Sequence, residues 1–342
     1  MEDMAVSSPQ TRSVAVIGAG SWGSAIAWLL GNNNSQVTLW SRDPDLTKSI
    51  NSQHQNPRYL TGLRLPETII ASNDLSKTVK DAEALVLVTP SMALSEIALQ
   101  LKPVLEDSVP VIILSKGLDP ASGKLLDAAL ADIIGFPERI AVLSGPNHAE
   151  EVSLGIPAAT VVASSSEDCA LYFQDLLATP VFRVYVSSDT LGVQLCGAAK
   201  NVVAIACGVA AGIGFGDNTQ AMIMTRGLAE IARLVEALGG DQLTCMGLAG
   251  MGDLVATCTS EHSRNRSFGI ELAQKGSLEG YQARTHMIVE GALAAQTVTD
   301  LARRHQVEMP ICEQVRSIIW DGLALDQAVM ALTQREFKPE FY

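Results

Sequence analysis

The sequence predicts an α/β fold in its N-terminal half, followed by an all-helical C-terminal domain. Short apolar runs alternate with helical patterns from residue 13 to residue 189, and only helical patterns remain from residue 190 onward. A chain of 342 residues is also longer than one hydrophobic core usually supports. We therefore expect domains at 13–189 and 190–342, joined at 187–189, after a polar, disordered lead-in at 1–12.

Composition narrows the class of partner. The formal net charge of -13 and the pI near 4.8 argue against a nucleic-acid partner and against docking on an anionic membrane. A small anion remains possible, because local arginines and lysines can bind it. Six scattered cysteines without a CxxC pair are typical of buried thiols in a reducing compartment, which favours the cytoplasm. The five histidines show no metal-ligand spacing, so no metal site is predicted.

The N-terminal half opens with a dinucleotide-binding pattern. An apolar strand at 13–17 is followed directly by the glycines Gly18, Gly20 and Gly23, then by a helix and a second strand at 36–40. Gly18 permits the tight turn, Gly20 lets a pyrophosphate approach the backbone, and Gly23 allows close packing of helix and strand. This arrangement predicts a Rossmann-type domain that binds NAD or NADP.

The end of the second strand bears on the choice of cofactor. Ser41 and Arg42 could accept the 2′-phosphate of NADPH, whereas Asp43 could accept hydrogen bonds from the ribose of NADH. An ordinary ion pair between Arg42 and Asp43 in solvent is the structural alternative. We expect NADPH or NADH, with NADPH preferred.

Further strands are predicted at 68–71, 84–89, 109–114, 140–143, 160–163 and 182–186, with helices at 93–101 and 124–134 between them. Polar turns at 89–91, 115–117 and 144–148 follow three of the strands. Ligands of parallel sheets bind beyond the carboxyl ends of the strands, so we expect these turns to line one crevice. Lys116 is therefore a site candidate, and His148 is either a catalyst or the cap of the following helix.

Lys200 is the most unusual residue of the helical half. It is the only cation of an apolar run at 191–215, and burial lowers the pKa of a lysine so that it can exchange a proton with a reacting oxygen. A lysine with a buried stem and a solvated head is the alternative. The run also has the length of a membrane span, but Gln194, Asn201 and five glycines favour a buried helix of a soluble protein, so no integral membrane segment is expected. The other helices are predicted at 219–238, 267–275, 290–305 and 312–319.

Three further clusters accompany Lys200. A glycine-rich turn at 247–252 delivers Asp253, which could pair with a cation or simply cap a helix. The segment 258–266 places hydroxyls, an amide and two arginines near a helix start, a combination suited to phosphate or to a solvated basic turn. Glu290 stands at a probable helix start, where it could meet a ribose or complement the helix dipole.

Taken together, these motifs resemble the bacterial NAD(P)-dependent glycerol-3-phosphate dehydrogenase family from about residue 13 to residue 337. The matching motifs are GAGSWGSAIA at 18–27, NPRYLTG at 56–62, SKGL at 115–118, SGPNHAEEV at 144–152, CGAAKNVVAIACG at 196–208, MGLAGMGDL at 246–254, CTSEHSRNRSFG at 258–269 and VEG at 289–291. Departures are small: Ser24 replaces a common threonine, and Asn147 replaces a common serine and can still form hydrogen bonds.

The resemblance implies reversible reduction of dihydroxyacetone phosphate to sn-glycerol 3-phosphate, the backbone of phospholipids, and a possible homodimer. It implies that Lys200 is the general acid/base, that Lys116 contacts both substrate and cofactor, and that Asp253 supports them. The implied substrate contacts are Gly145, Asn147, Asp253, Ser263, Arg264 and Asn265; the implied cofactor contacts are Ser21, Trp22, Arg42, Tyr59, Ala149, Arg264, Ile288 and Glu290.

Two other interpretations stay open on sequence alone. The chain could be another dehydrogenase with a Rossmann and a helical domain, of the 3-hydroxyacid or 6-phosphogluconate type. It could also be a non-catalytic NAD(P)-binding regulator, although Lys116, Lys200 and Asp253 argue against that role.

Overall fold

The computed structural model describes residues 11–336 and 339–340. Of the predicted lead-in, residues 1–10 lie outside the described part, and Arg12 forms an ion pair with Asp175 and stacks on the ring of Tyr172. The described residues divide into two compact units. The first comprises the residues up to Ser115 and Leu126–Thr190, and the second comprises Lys116–Leu125 and the residues from Leu191 onward.

The first unit contains an eight-stranded sheet in the order β3-β2-β1-β4-β5-β6-β7-β8. All neighbouring strands are parallel except β6 and β7, which are antiparallel. The strands are β1 (Ser13–Ile17), β2 (Gln36–Trp40), β3 (Ile69–Ser72), β4 (Ala84–Leu87), β5 (Val111–Ile113), β6 (Ile140–Ser144), β7 (Ala158–Ser164) and β8 (Phe182–Ser187). Every residue of β4, β5 and β6 is buried, as expected for strands covered on both faces.

Seven helices accompany this sheet. They are α1 (Ser21–Asn32), α2 (Pro44–Gln53), α3 (Leu75–Val79), α4 (Leu94–Leu101), α5 (Leu126–Ile134), α6 (Ala149–Val152) and α7 (Glu167–Leu177). Because β1, β4, β5 and β6 are parallel neighbours, the turns after them lie at one edge of the sheet. The predicted Rossmann-type fold is confirmed.

The second unit is helical, as predicted, and its core forms around α8 (Thr190–Gly212). This helix has the length and composition of a membrane span, but 83% of its most apolar window is buried in the structure, so it is the core helix of the unit. The remaining helices are α9 (Asp217–Ala237), α10 (Gln242–Met246), α11 (Asp253–Thr259), α12 (Arg264–Ala273), α13 (Leu278–Thr285), α14 (Glu290–Arg304), α15 (Pro310–Trp320) and α16 (Leu325–Thr333).

Two differences from the predicted elements matter for the site. Helix α12 begins at Arg264 rather than at residue 267, because Ser263 caps it by accepting a hydrogen bond from the Arg266 N–H. Helix α5 begins at Leu126 rather than at residue 124, because Lys116–Leu125 belongs to the second unit. All six cysteines are buried, as predicted.

Candidate active site

Two lysines, one buried and one partly buried, surround a buried carboxylate in the second unit. Lys116 Nζ lies 2.7 Å from Asp253 Oδ2, and Lys200 Nζ donates to Asp253 Oδ1. Lys200 Nζ also donates to Thr257 Oγ1 at 2.6 Å. Lys200 is 5% exposed and Asp253 is 2% exposed. The three residues that the sequence analysis proposed as catalytic thus lie together.

The charges of this cluster shift one another's pKa values. Burial lowers the pKa of Lys200 to about 8, the Asp253 carboxylate acts against that effect, and the Lys116 ammonium reinforces it. Burial alone would raise the pKa of Asp253, but Lys116 and Lys200 together hold it below its usual value. A lysine with a pKa of about 8 can both donate and accept a proton near neutral pH.

The glycine-rich segment before Asp253 explains how the carboxylate is presented. Residues Leu248–Gly252 form one turn of π-helix, a rare conformation that is frequent at functional sites. A β-carbon on Gly250 would lie 2.1 Å from the Cys245 carbonyl oxygen, so this close approach requires glycine. Gly252, not Asp253, occupies the N-cap position of α11. The Asp253 side chain binds the two lysines instead of capping the helix.

The N-terminus of α12 forms the second part of the candidate site. Ser263 is buried at the cap, Arg264 is exposed at the first helical position, and the first-turn N–H groups suit an anion. The Asn265 side chain serves the scaffold: its Nδ2 donates to Asn201 Oδ1 at 2.9 Å, and its Oδ1 accepts from the Gly291 N–H at 3.0 Å.

Two glycines hold α12 close to the helix that carries Lys200. A β-carbon on Gly208 of α8 would lie 2.1 Å from the Arg266 carbonyl oxygen, and one on Gly269 of α12 would lie 2.2 Å from the Ile205 carbonyl oxygen. Larger residues would separate the two backbones. The start of α14 also contacts α12, because the Gly291 N–H donates to Asn265 Oδ1. Glu290 is the first residue of α14, and Ile288, two residues earlier, is exposed.

In the first unit, the glycine turn after β1 has the form that a dinucleotide requires. Gly18 has a φ of +120°, and a β-carbon there would lie 2.7 Å from the Val88 carbonyl oxygen. A β-carbon on Gly23 would lie 1.8 Å from the Gly18 carbonyl oxygen. Gly20 occupies the N-cap of α1, and a β-carbon there would meet nothing within 4 Å. The first turn of α1, including Ser21 and Trp22, therefore faces room for a pyrophosphate.

At the end of β2, Asp43 has partners other than the ribose or the Arg42 side chain that the sequence suggested. Asp43 caps α2 by accepting from the N–H groups of Asp45 (3.0 Å) and Leu46 (3.3 Å), and it pairs with Arg58 at 2.9 Å. Asp43 thus pairs with Arg58 rather than with Arg42, its partner in the structural alternative. Ser41 is buried and accepts from the Asp43 N–H, while Arg42 is exposed.

The remaining predicted contacts of the first unit lie in two loops. Gly145 packs against Thr160, where a β-carbon would lie 2.9 Å from Cα, and Asn147 donates from Nδ2 to the Ala159 carbonyl at 3.1 Å. Ala149 begins α6, whose N-cap position is held by His148. The Tyr59 N–H donates to Asn56 Oδ1 at 2.9 Å.

The sequence analysis missed three residues that organise the site. Thr257 could have been found by its i+4 spacing from Asp253 on a helix. Asn56 is 2% exposed and joins the Tyr59 loop to the glycine turn through Ala19 and Ser24. Asn201 was noted only as a polar interruption of the apolar run.

The chain combines a Rossmann-type domain, with its phosphate-binding glycine turn, and a helical domain that holds a buried lysine of lowered pKa. This combination defines an NAD(P)-dependent dehydrogenase. Sequence comparison names the family. The family model for the NAD-dependent glycerol-3-phosphate dehydrogenase N-terminus matches residues 13–170, and the model for its C-terminus matches residues 189–330. The chain belongs to the NAD(P)-dependent glycerol-3-phosphate dehydrogenase family.

Individual relatives agree along nearly the whole chain. The glycerol-3-phosphate dehydrogenase [NAD(P)+] of Moorella thermoacetica is 46% identical over 95% of this chain and 96% of its own length. That of Corynebacterium aurimucosum is 44% identical over 96% and 99%. The crystal structure of glycerol-3-phosphate dehydrogenase from Coxiella burnetii has a TM-score of 0.91 at 37% identity, covering 95% of this chain and 99% of that one. These matches support the main interpretation and not the other dehydrogenase types.

Proposed function

We propose that this protein catalyses the reversible reduction of dihydroxyacetone phosphate to sn-glycerol 3-phosphate with NADPH or NADH. The observation that carries the proposal is the Lys116–Asp253–Lys200 cluster, in which Asp253 and Lys200 are buried, in the same unit as the exposed Arg264 at a helix N-terminus. A carbonyl substrate with a phosphate group needs a proton donor at one end and an anion site at the other. The relatives are named glycerol-3-phosphate dehydrogenase [NAD(P)+], after the alcohol that this reduction forms.

Lys200 acts as the acid in reduction and as the base in oxidation. When bound, the reduced nicotinamide supplies a hydride to C2 of the substrate. Lys200 Nζ donates its proton to the C2 oxygen, and Lys116 adds a second positive charge that stabilises the developing negative charge. Asp253 orients both ammonium groups, and Thr257 holds the Lys200 Nζ from a second direction.

The substrate phosphate binds at the N-terminus of α12. The Arg264 guanidinium and the first-turn N–H groups supply the positive charge and the hydrogen bonds that a dianion needs. Ser263 contributes by fixing the cap, because its Oγ accepts from the Arg266 N–H at 3.2 Å.

The glycine turn and the end of β2 hold the cofactor, together with the residues around Tyr59 and Ala149. The preference for NADPH is supported by the state of Asp43, whose carboxylate is engaged by the α2 cap and by Arg58. That carboxylate is poorly placed to accept from a ribose, whereas the exposed Arg42 can bind a 2′-phosphate.

The same proposal extends to the setting of the enzyme. The buried thiols fit the reducing cytoplasm, where the product would enter glycerophospholipid synthesis. A homodimer through the helical unit is supported by its exposed apolar side chains, among them Met222, Leu243 and Met246.

A spectrophotometric assay tests the reaction. The purified protein is mixed with dihydroxyacetone phosphate and with NADPH or NADH, and oxidation of the nicotinamide is followed by its absorbance. Unphosphorylated dihydroxyacetone is the matched control, and it should react far more slowly because the anion site then has no ligand. Absence of turnover with both cofactors would refute the proposed function.

A further inference from the structure

Lys116 lies on a short segment that is flanked in sequence by the first unit but packs in the second. The chain leaves the first unit after Ser115 and returns to it at Leu126, and the ten residues between, Lys116–Leu125, belong to the second unit. We call this segment the strap. Its first residue is the lysine that binds Asp253.

The strap is a closed loop with its own hydrogen bonds. Leu118 and Leu125 form an antiparallel bridge, the Asp119 N–H donates to the Lys124 carbonyl at 3.0 Å, and the Gly123 N–H donates to the Asp119 carbonyl at 2.8 Å. The Asp119 carboxylate is buried and accepts from Ser122 twice, from N–H at 2.8 Å and from Oγ at 2.6 Å. The loop shape is therefore determined from within.

The strap is also anchored to the helical unit. Leu118 is 1% exposed and belongs to the core that surrounds α8, and Leu125 packs against the same core. Gly123 has a φ of +68° and lies against the Arg304 guanidinium of α14, where a β-carbon would be 2.9 Å from Nη1. These contacts do not involve the reacting groups, yet they determine the position of the Lys116 backbone.

We propose that the strap holds Lys116 at Asp253 as a fixed part of the helical unit, with Asp119 as the positioning residue that maintains its shape. A lysine side chain is long and flexible, so its ammonium stays in place only when its backbone and its partner are both fixed. The inference rests on the proposed function, because the consequence for turnover acts through Lys116.

A double-mutant cycle separates positioning from general stability. Asp119→Ala removes the acceptor for Ser122 and should lower kcat for dihydroxyacetone phosphate about tenfold, since small displacements of a reacting group are costly. In the Lys116→Met background the same substitution should change kcat less than about twofold. The residual turnover of Lys116→Met is followed at high enzyme concentration. Asp119→Asn keeps an acceptor oxygen and should recover most of the lost kcat.

Asp74→Ala is the matched control. Asp74 also accepts a backbone hydrogen bond, from the Lys77 N–H at 3.1 Å, but it caps α3 in the first unit. Its replacement should lower thermal stability and leave kcat unchanged. The proposal is overturned if Asp119→Ala lowers kcat by the same factor in both backgrounds, or if it is as active as Asp74→Ala.

Gly123→Ala gives a second route if Asp119→Ala does not fold. Its control is Gly135→Ala, at a similar φ of +73° but with no neighbour within 4 Å of the added β-carbon. Loss of kcat in the first variant only, and only when Lys116 is present, supports the strap; equal loss in both contradicts it. Failure of the unaltered enzyme to turn over the substrate would refute the proposed function instead.

Discussion

Among its described residues, the helical unit buries charge in two places, and the two are compensated differently. At the active-site cluster, the Asp253 carboxylate is balanced by the ammonium groups of Lys116 and Lys200. On α9, the Glu230 carboxylate is 1% exposed and accepts from the backbone N–H groups of Ile311 (2.8 Å) and Cys312 (3.3 Å) at the start of α15. One site uses opposite charges, and the other uses helix-end donors.

This difference separates a reactive site from a structural one. Burial lowers the pKa of Lys200 to about 8 and raises the pKa of Glu230 to about 7, so both groups can change protonation near neutral pH. The Lys200 ammonium donates hydrogen bonds to side chains, and a substrate oxygen could accept one as well. The Glu230 oxygens accept from backbone N–H groups, and these hydrogen bonds connect α9 to α15. A shifted pKa therefore indicates function only together with the chemistry of its partners.

The largest effect is expected at Lys200. Lys200→Ala removes the proposed proton donor and should lower kcat by about 10³-fold while NADPH binding is largely retained. The measurement is steady-state turnover together with NADPH titration by fluorescence. Lys102→Ala, at an exposed lysine of the first unit, is the control. Near-normal turnover of Lys200→Ala would remove Lys200 from the mechanism.

Removal of the shared carboxylate is the next test. Asp253→Asn leaves the buried Lys200 ammonium and the partly buried Lys116 ammonium without a counter-charge, so kcat should fall by about 10²-fold and the free energy of unfolding by about 3–5 kcal/mol. Asp300→Asn is the control, because its partially exposed pair with Arg316 should contribute about 1 kcal/mol or less.

Asp253→Asn should also change the pH profile of kcat. In glycerol 3-phosphate oxidation Lys200 must be unprotonated, so the rate rises with pH through its pKa of about 8. Asp253 raises that pKa, and its neutralisation should therefore move the rising limb of kcat to lower pH. A limb that stays in place, or moves to higher pH, would contradict the assigned electrostatics.

Glu230 should affect stability and not turnover. Its folded pKa is raised from 4.5 to about 7, so its contribution to stability is fully present below about pH 4.5 and is lost as the pH rises through about 7. Relative to Glu230→Gln, the unaltered protein should lose on the order of 3 kcal/mol of unfolding free energy across this range.

Urea unfolding at several pH values measures that slope, and kcat should remain within about twofold of the unaltered enzyme. Glu313→Gln on α15, which removes an exposed ion pair with Arg303, should change stability by about 1 kcal/mol or less. Parallel pH dependence in Glu230→Gln and the unaltered protein would remove Glu230 from this role.

The smallest effect is expected at Arg42, an exposed charge, in contrast to the buried charges of the helical unit. Arg42→Ala should raise the KM for NADPH about tenfold, the cost of one charge-assisted contact, and should change the KM for NADH little. Because Arg42 is exposed, stability should not change. Equal effects on both cofactors would refute a 2′-phosphate contact.

Much of the fold was predictable from local pattern. The strand–glycine–helix–strand unit and the helix of Lys200 follow from hydrophobic periodicity and from the backbone requirements of glycine. The antiparallel placement of β7 was not predictable, because its apolar residues suit either direction of pairing. The start of α12 was placed three residues late because the cap at Ser263 depends on one hydrogen bond.

The sequence by itself determined which residues have the chemistry of the site: a lysine in an apolar helix, a carboxylate after a glycine-rich turn, and arginines near a helix start. Their types and local conformations follow from a few neighbouring residues. Only the tertiary structure decided their partners, since Lys116 and Asp253 are 137 positions apart and Lys200 and Asp253 are 53 apart. Packing also assigned Lys116 to the helical unit and turned Asp43 toward a helix cap and Arg58, because such contacts depend on which surfaces the whole chain brings together.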